Sequence, residues 1–316
     1  MIINQNDNLN DGVKFNLADF FVAGTPRSGT TSLYQYMYFH PEILLSSPKE
    51  PRFFVFRGLN KEELSFESPV VLKASILDFK KYSRMFKNSG GKLCGDFTVT
   101  SLKYYKQFIK NVKELYSGLD KPKIIIALRN PIEATYSYYN YLYMSREIKE
   151  NDFLAFLKKC KKEYNESLKS CQSVSSFFHT YDYANQLSAI LKEFDDVYIY
   201  LLEDLRDRPK DVLSDVYDFL GLDYIAPNDL GEVYNRSGYG KRSWAISSGA
   251  DVIKNKIAKI IPEAVGRRAF SKFRHLGIET ASIGAKEKEF LKEHFKDVVI
   301  KTEKIIDRDL TSWLNI

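Results

Sequence analysis

The chain has 316 residues, a formal net charge of +6, 44% hydrophobic side chains and 28% charged ones. These proportions suit a folded protein with a sizeable core and exclude a disordered, collagenous or disulfide-stapled chain. The positive balance suits anionic ligands and does not by itself argue for nucleic acid.

The amino terminus, MIINQNDNLNDGVKF, has neither the basic nor the apolar region of a signal peptide. No uninterrupted apolar segment approaches the length of a membrane span. Three cysteines, Cys94, Cys160 and Cys171, form an odd set without metal-ligand spacing. Together these features predict reduced thiols in a cytoplasmic protein with no integral membrane segment.

Residues 1–17 read as a loose leader and Asp19 to Gly24 as the first strand. The apolar run Phe20 to Ala23 breaks at Gly24, and helical spacing resumes at Gly29. In a strand, tight turn and helix of this kind, backbone N–H groups and the positive end of the helix dipole converge on an anion. The spacing Gly24-x-x-x-x-Gly29 equals that of a nucleotide P-loop, but Thr30-Thr31 stands where the P-loop carries Lys-Ser/Thr. The cation lies inside the loop instead, as Arg27. The loop is therefore expected to bind a phosphate-bearing nucleotide without the lysine that reaches the terminal phosphates of ATP or GTP.

Thr30 to Phe39 has helical spacing, with Leu33, Tyr34, Tyr36 and Met37 on its inner face. His40-Pro41 ends that helix, because a residue before proline avoids the α region. His40 reads as a cap or packing residue in preference to a catalytic base. Next, SSPKEPRFF (46–54) frames Lys49-Glu50 between prolines on a stiff loop. By composition alone that loop is a solvated charged turn. Residues 57–90 are irregular, with a helix expected around Ile76 to Phe86.

Ile124 to Leu128 is a fully apolar run of the kind a buried parallel strand requires. It ends in Arg129-Asn130-Pro131, with the proline near the start of the next helix. A strand-end arginine and the next helix's first turn share the edge of a doubly wound sheet at which ligands bind. Tyr136, Tyr138, Tyr139, Tyr141 and Tyr143 spread around that helix. Residues 146–175 predict a Lys- and Glu-rich helical excursion with a solvated face. Val197 to Leu202 is the third strand. Glu203-Asp204 after it imitates a Walker B carboxylate pair, and the missing P-loop lysine favours capping or internal pairing for these acids. Asn235 to Trp244 is a glycine-spaced basic loop. Residues 251–275 are strongly basic, which suits either a solvated helical face or attraction to an anionic acceptor or membrane surface. Residues 285–308 read as packing helices. With no internal repeat or low-complexity linker, the chain is expected to form one domain over 1–316, with 246–316 as a helical extension.

The segment GTPRSGTTSLYQYMYFHP, the KEPRFF loop and Arg129-Asn130-Pro131 followed by Ser137 together resemble the sulfotransferases that use 3′-phosphoadenosine 5′-phosphosulfate (PAPS). The run SFFHTYDYANQLSAILKEF, then EDL, then FLGL continues the similarity. Gly95-Asp96 resembles a further family segment but lacks its proline and tyrosine, which leaves Asp96 as a structural or acceptor-side carboxylate.

The resemblance implies an α/β fold: a P-loop-like, doubly wound parallel sheet flanked by helices, with a helical C-terminal region. It implies that Arg27, where many members carry Lys, holds the 5′-phosphosulfate. Ser28, Gly29, Thr30, Thr31 and Ser32 would do so with it. Arg129 and Ser137 would recognise the 3′-phosphate, with Lys241 or Arg242 closing from the late basic loop. Glu50 matches the general base of the heparan-sulfate-type and bacterial branch, which the chain resembles more than the cytosolic small-molecule branch. Lys49 matches the basic neighbour of that base, and His179 is the second candidate base. The implied reaction carries the sulfuryl group of PAPS to a hydroxyl or amine of a small-molecule or carbohydrate acceptor and releases PAP, with no metal required. The rival readings are a P-loop kinase using ATP–Mg²⁺ on a small molecule and a non-catalytic nucleotide-binding protein.

Overall fold

The computed structural model describes residues 16–60, 64, 67–145, 147–170, 177–228, 230–231 and 282–315. Five strands form one sheet: β1 (Phe20–Gly24), β2 (Ile43–Leu45), β3 (Leu93–Asp96), β4 (Lys123–Leu128) and β5 (Val197–Leu201). Their order is β2-β3-β1-β4-β5 and every pairing is parallel. The chain passes from β1 to the edge strand β2, returns to β3 beside β1, and then lays β4 and β5 on the other side of β1. Its crossovers therefore diverge between β1 and β4 and leave a crevice at the carboxyl ends of those strands.

The helices in chain order are α1 (Thr30–Tyr38), α2 (Phe53–Phe56), α3 (Pro69–Ala74), α4 (Phe79–Arg84), α5 (Tyr105–Leu115) and α6 (Pro131–Met144). They continue as α7 (Phe153–Ser170), α8 (Tyr183–Glu193), α9 (Leu202–Asp207), α10 (Pro209–Leu220) and α11 (Ala285–Ile306). Short 3₁₀ turns lie at Phe177–Tyr181 and Thr311–Trp313.

The near-continuous apolar runs of β1 and β4 are explained by cover on both sheet faces. Side chains alternate along each strand, so Phe21, Ala23, Ile124 and Ile126 enter one core with Phe54, Phe108 and Leu187. Phe20, Val22, Ile125 and Ala127 enter the other, with Leu33 and Met37 of α1 and Leu213 and Val216 of α10. Of the α1 residues read as its inner face, Leu33, Tyr34, Tyr36 and Met37 are all buried.

The structure departs from the sequence reading in several places. β2 and β3 were not anticipated. Asp19 lies just before β1, where its carboxylate accepts the Cys94 N–H at 2.6 Å. The helix expected over 76–86 is shorter, because Asp78 caps it by accepting the Lys81 N–H at 2.7 Å. β5 yields Leu202 to α9, since the Asp204 carboxylate accepts the Leu201 N–H at 3.1 Å and starts a helix there. The C-terminal α11 packs on α6, α7 and α8. Among the described residues no helix is long and apolar enough to cross a membrane. Lys241 and Arg242, the loop containing them and the basic stretch 251–275 lie outside the described residues.

Candidate active site

The turn after β1 is shaped by two glycines with close neighbours. A Cβ on Gly24 would sit 2.8 Å from Leu102 Cβ. Gly29 has φ +76, and a Cβ there would lie 2.7 Å from Leu202 Cδ1, so side chains are excluded on both conformational and steric grounds. Arg27 also takes a left-handed backbone, with φ 66.

The loop is stitched to β4. The Thr25 N–H and hydroxyl both donate to the Ala127 carbonyl, at 2.8 and 3.0 Å, and the Ser28 hydroxyl lies 2.6 Å from Thr25 Oγ1. From the other side the buried Tyr181 hydroxyl is shared between the carbonyls of Pro26, at 3.3 Å, and Ala134, at 3.1 Å. The loop is thus held open and rigid at the amino end of α1, where the first-turn N–H groups have no intrahelical acceptor.

The second half of the site follows β4. Asn130 caps α6, its Oδ1 accepting the Ile132 N–H at 2.9 Å, and Pro131 occupies the first turn. This cap turns the chain so that Arg129 points back across the crevice. Its Nη1 donates to the Arg27 carbonyl at 3.1 Å and its Nη2 to Glu133 at 3.1 Å. The Arg129 side chain is 15% exposed, and its Nε is buried with no hydrogen-bond partner among the described residues. A buried donor left unmade is costly, so its presence here favours a site built to receive an acceptor. Arg27 in turn donates from Nε to Ser137 Oγ at 2.9 Å, and its guanidinium stands 5.6 Å over the Tyr141 ring. Arg27, Arg129 and Ser137 therefore form one connected group. Its donor set of two guanidinium forks, a hydroxyl and helix-end amides fits phosphate groups.

The loop after β2 supplies the third part. Lys49 Nζ donates to Thr31 Oγ1 at 3.0 Å, which places the KEPRFF segment against the first turn of α1. Glu50 is 23% exposed and pairs with Arg52 at 2.6 Å. Arg52 is held in a left-handed backbone, φ 58, by its N–H donating to Thr98 Oγ1 at 3.1 Å. The Thr98 hydroxyl donates to Asp96 at 2.7 Å, and the Tyr82 hydroxyl donates to the other Asp96 oxygen at 3.0 Å. Burial pushes the Asp96 carboxyl up to about 6, while its bonds from Thr98 and Tyr82 oppose that rise. Of the two roles open to Asp96 on sequence, the fully buried structural anchor is the one observed.

The remaining candidates have other partners. The buried His40 accepts the Glu42 N–H at Nδ1, 3.2 Å, and its Nε2 donates to the Asp223 carbonyl at 3.1 Å, as befits a packing residue. His179 lies with its ring 4.6 Å from Tyr164, and burial lowers its pKa against the opposing pull of Asp182. Asp204 caps Leu201 and pairs with Arg208 and Arg308, and Glu203 accepts from the Trp313 indole. Asp204 is thus internally paired, whereas Glu203 is bonded through Oε1 and its buried Oε2 has no hydrogen-bond partner among the described residues. Sequence reasoning missed Arg52, Thr98, Tyr82, Tyr181 and Trp313. Arg52 stood inside the KEPRFF segment as a visible signal, whereas the others contact the site from distant positions.

The chain matches the family described as the sulfotransferase domain over residues 17–236. A membrane-associated sulfotransferase, kil1, of Dictyostelium discoideum is 30% identical over 125 residues, a stretch that covers 40% of this chain and 23% of that relative. The chain therefore spans about a quarter of that relative's length. The crystal structure of a sulfotransferase from Alicyclobacillus acidocaldarius superimposes with a TM-score of 0.64 at 22% identity, covering 94% of this chain and 99% of that one.

Proposed function

The chain belongs to the sulfotransferase domain family, and on that premise we propose that it carries the sulfuryl group of PAPS to a hydroxyl or amine of a small-molecule or carbohydrate acceptor and releases PAP. The observation that carries this reading is the bond from Arg27 Nε to Ser137 Oγ, which joins the two phosphate motifs across 110 residues of sequence. A nucleotide phosphorylated at both its 3′ and 5′ positions needs two such sites side by side.

PAPS supplies an activated sulfuryl group when bound. Arg27 and the amide-rich start of α1 stabilise negative charge on the departing 5′-phosphate. Arg129, whose Nε has no partner among the described residues, and Ser137 hold the 3′-phosphate and so select PAPS over ATP. Glu50 takes the acceptor's proton. Arg52 holds its Oε2, and Oε1 is the oxygen that receives the proton. The Glu base, on the loop beside Thr31, favours kinship with the heparan-sulfate-type and bacterial branch. The buried Cys94, which forms no disulfide among the described residues, suits a cytoplasmic setting.

Calorimetric titration with PAP, 5′-AMP and ATP–Mg²⁺ tests the reading. Tight PAP binding with weak 5′-AMP and ATP binding is expected, and ATP–Mg²⁺ binding better than PAP would overturn it. Arg129→Ala is expected to weaken PAP about tenfold to a hundredfold, the range for losing a charged hydrogen-bonding partner, while leaving 5′-AMP nearly unchanged.

A further inference from the structure

The acid pair Glu203–Asp204 and the turn that follows α11 take no part in the reaction described above, yet they meet at the phosphate corner. Asp307, with φ 50, turns the chain back at the end of α11. Arg308 then forks onto Asp204, Nη1 to Oδ2 and Nη2 to Oδ1, both at 3.1 Å, while Arg208 reaches Oδ1 at 3.2 Å. The Leu310 N–H donates to Glu303 at 2.9 Å, and the Leu310 and Trp313 side chains are buried.

Trp313 bridges the turn after β4 and the start of α9. Its indole N–H donates to Glu203 Oε1 at 3.2 Å, and its carbonyl accepts the buried Asn130 Nδ2 at 3.2 Å. Asn130 is therefore fixed from both ends of its amide: the oxygen caps α6 and the nitrogen holds the C-terminal turn. The Trp313 ring lies 6.3 Å from that of Tyr183, whose hydroxyl donates to the Arg129 carbonyl at 2.9 Å. The Glu203 carboxyl is pushed up by burial and by Glu133 and drawn down by its indole bond and by Arg129, so its charge field lies against that guanidinium.

We infer that the turn from Arg308 to Trp313 is a clasp that fixes the backbone of Arg129–Asn130 and so sets the protein's preference for a 3′-phosphorylated nucleotide. Arg308 and Trp313 are positioning residues: they act through Asp204, Asn130 and Tyr183 on an arginine they do not themselves replace. Plain packing would account for the buried ring. It would not account for directed bonds that end on a cap side chain and on the acid pair beside it. Because charged recognition falls off within fractions of an ångström of misplacement, loosening this corner weakens the 3′-phosphate contact first. The inference rests on the reading that Arg129 receives the 3′-phosphate.

The test compares PAP with 5′-AMP, which lacks that phosphate, on the full chain and on Arg308→Ala, Trp313→Ala and Arg129→Ala. The clasp predicts that the PAP-to-AMP affinity ratio falls about tenfold in the first two variants, with 5′-AMP affinity changed less than about twofold, and that Arg308→Lys restores part of the ratio. A ratio unchanged in Arg308→Ala, or equal losses for both nucleotides, overturns the clasp. Arg308 sits on a half-exposed pair, so its variant decides the matter if Trp313→Ala does not fold. A ratio lost in Arg129→Ala but kept in Arg308→Ala refutes the clasp alone. A ratio unchanged in Arg129→Ala refutes the phosphate assignment and the clasp with it.

Discussion

At the scale of single residues, the role proposed for Glu50 depends on how it is held. Its partner Arg52 occupies a left-handed backbone that a non-glycine residue adopts at a cost of roughly 1–3 kcal/mol, offset by the bonds running through Thr98 to Asp96 and Tyr82. The arrangement fixes a carboxylate beside the amino end of α1 without burying it. Glu50→Gln keeps the shape and removes the proton acceptor. Turnover is expected to fall about 10²- to 10⁴-fold, the usual contribution of a general base, with PAP affinity essentially unchanged. Steady-state kinetics beside calorimetry measure both. Near-normal turnover would pass the role to His179 or another base. Arg27 bears on the donor side in the same way. Arg27→Lys retains a cation but loses the Nε bond to Ser137 and the stacking over Tyr141. Its PAP affinity is expected to fall about tenfold, a loss that titration detects directly.

At the scale of elements, the thinnest strands carry the tightest constraint. Gly95 in β3 faces the Phe20 ring of β1 so closely that any Cβ would overlap it. Gly95→Ala must therefore push β1 and β3 apart or rotate the ring, at an expected cost of about 1–3 kcal/mol, as for other overpacked cores. Urea unfolding measures it, and an unchanged midpoint would mean that the ring moves freely. The same strands show why the fold was only partly legible from sequence. β1 and β4 announce themselves as apolar runs bounded by a glycine turn and by Arg-Asn-Pro. β2 has three residues and β3 four, one of them Gly95, which is too short for either helical or strand periodicity to register. The site divides similarly. The Gly24–Gly29 turn and the Arg129 corner are local motifs whose chemistry is written in adjacent residues. The support for Glu50 depends on an Arg52–Thr98 bond across 46 residues, and the brace on Asn130 comes from Trp313, 183 residues away. Contacts of that kind exist only once the sheet has brought its strand ends together.

At the scale of the whole molecule, two buried groups make opposite demands as pH changes. Asp96 beneath the site has its carboxyl raised to about 6 by burial, so between about pH 4 and 6 the folded chain keeps a proton that the unfolded chain releases, and stability falls as pH rises. His294, on α11, faces α7, with Lys161 Nζ 2.7 Å from its Nδ1, the Phe178 ring at 4.1 Å, the Tyr164 ring at 5.3 Å and His179 nearby. Burial first, then Lys161 and His179, push it down to about 3. Between about pH 6.5 and 3 the unfolded chain binds a proton that the folded chain refuses, so this contribution is present at neutral pH and lost as pH falls. The two slopes oppose each other from about pH 4 to 6, and the intact protein hides both. Single variants separate them. Asp96→Asn should gain stability relative to the parent as pH rises through this window, by up to about 3 kcal/mol for a shift of about two units. His294→Phe keeps a ring against Phe178 and should gain relative to the parent as pH falls, by about 2 kcal/mol once the half-buried position is discounted for solvent screening. Urea unfolding at half-unit steps from pH 4 to 7 reads both differences. Differences that stay constant with pH would mean that neither group is shifted, and that the helical C-terminal packing and the floor of the site do not share this electrostatic balance.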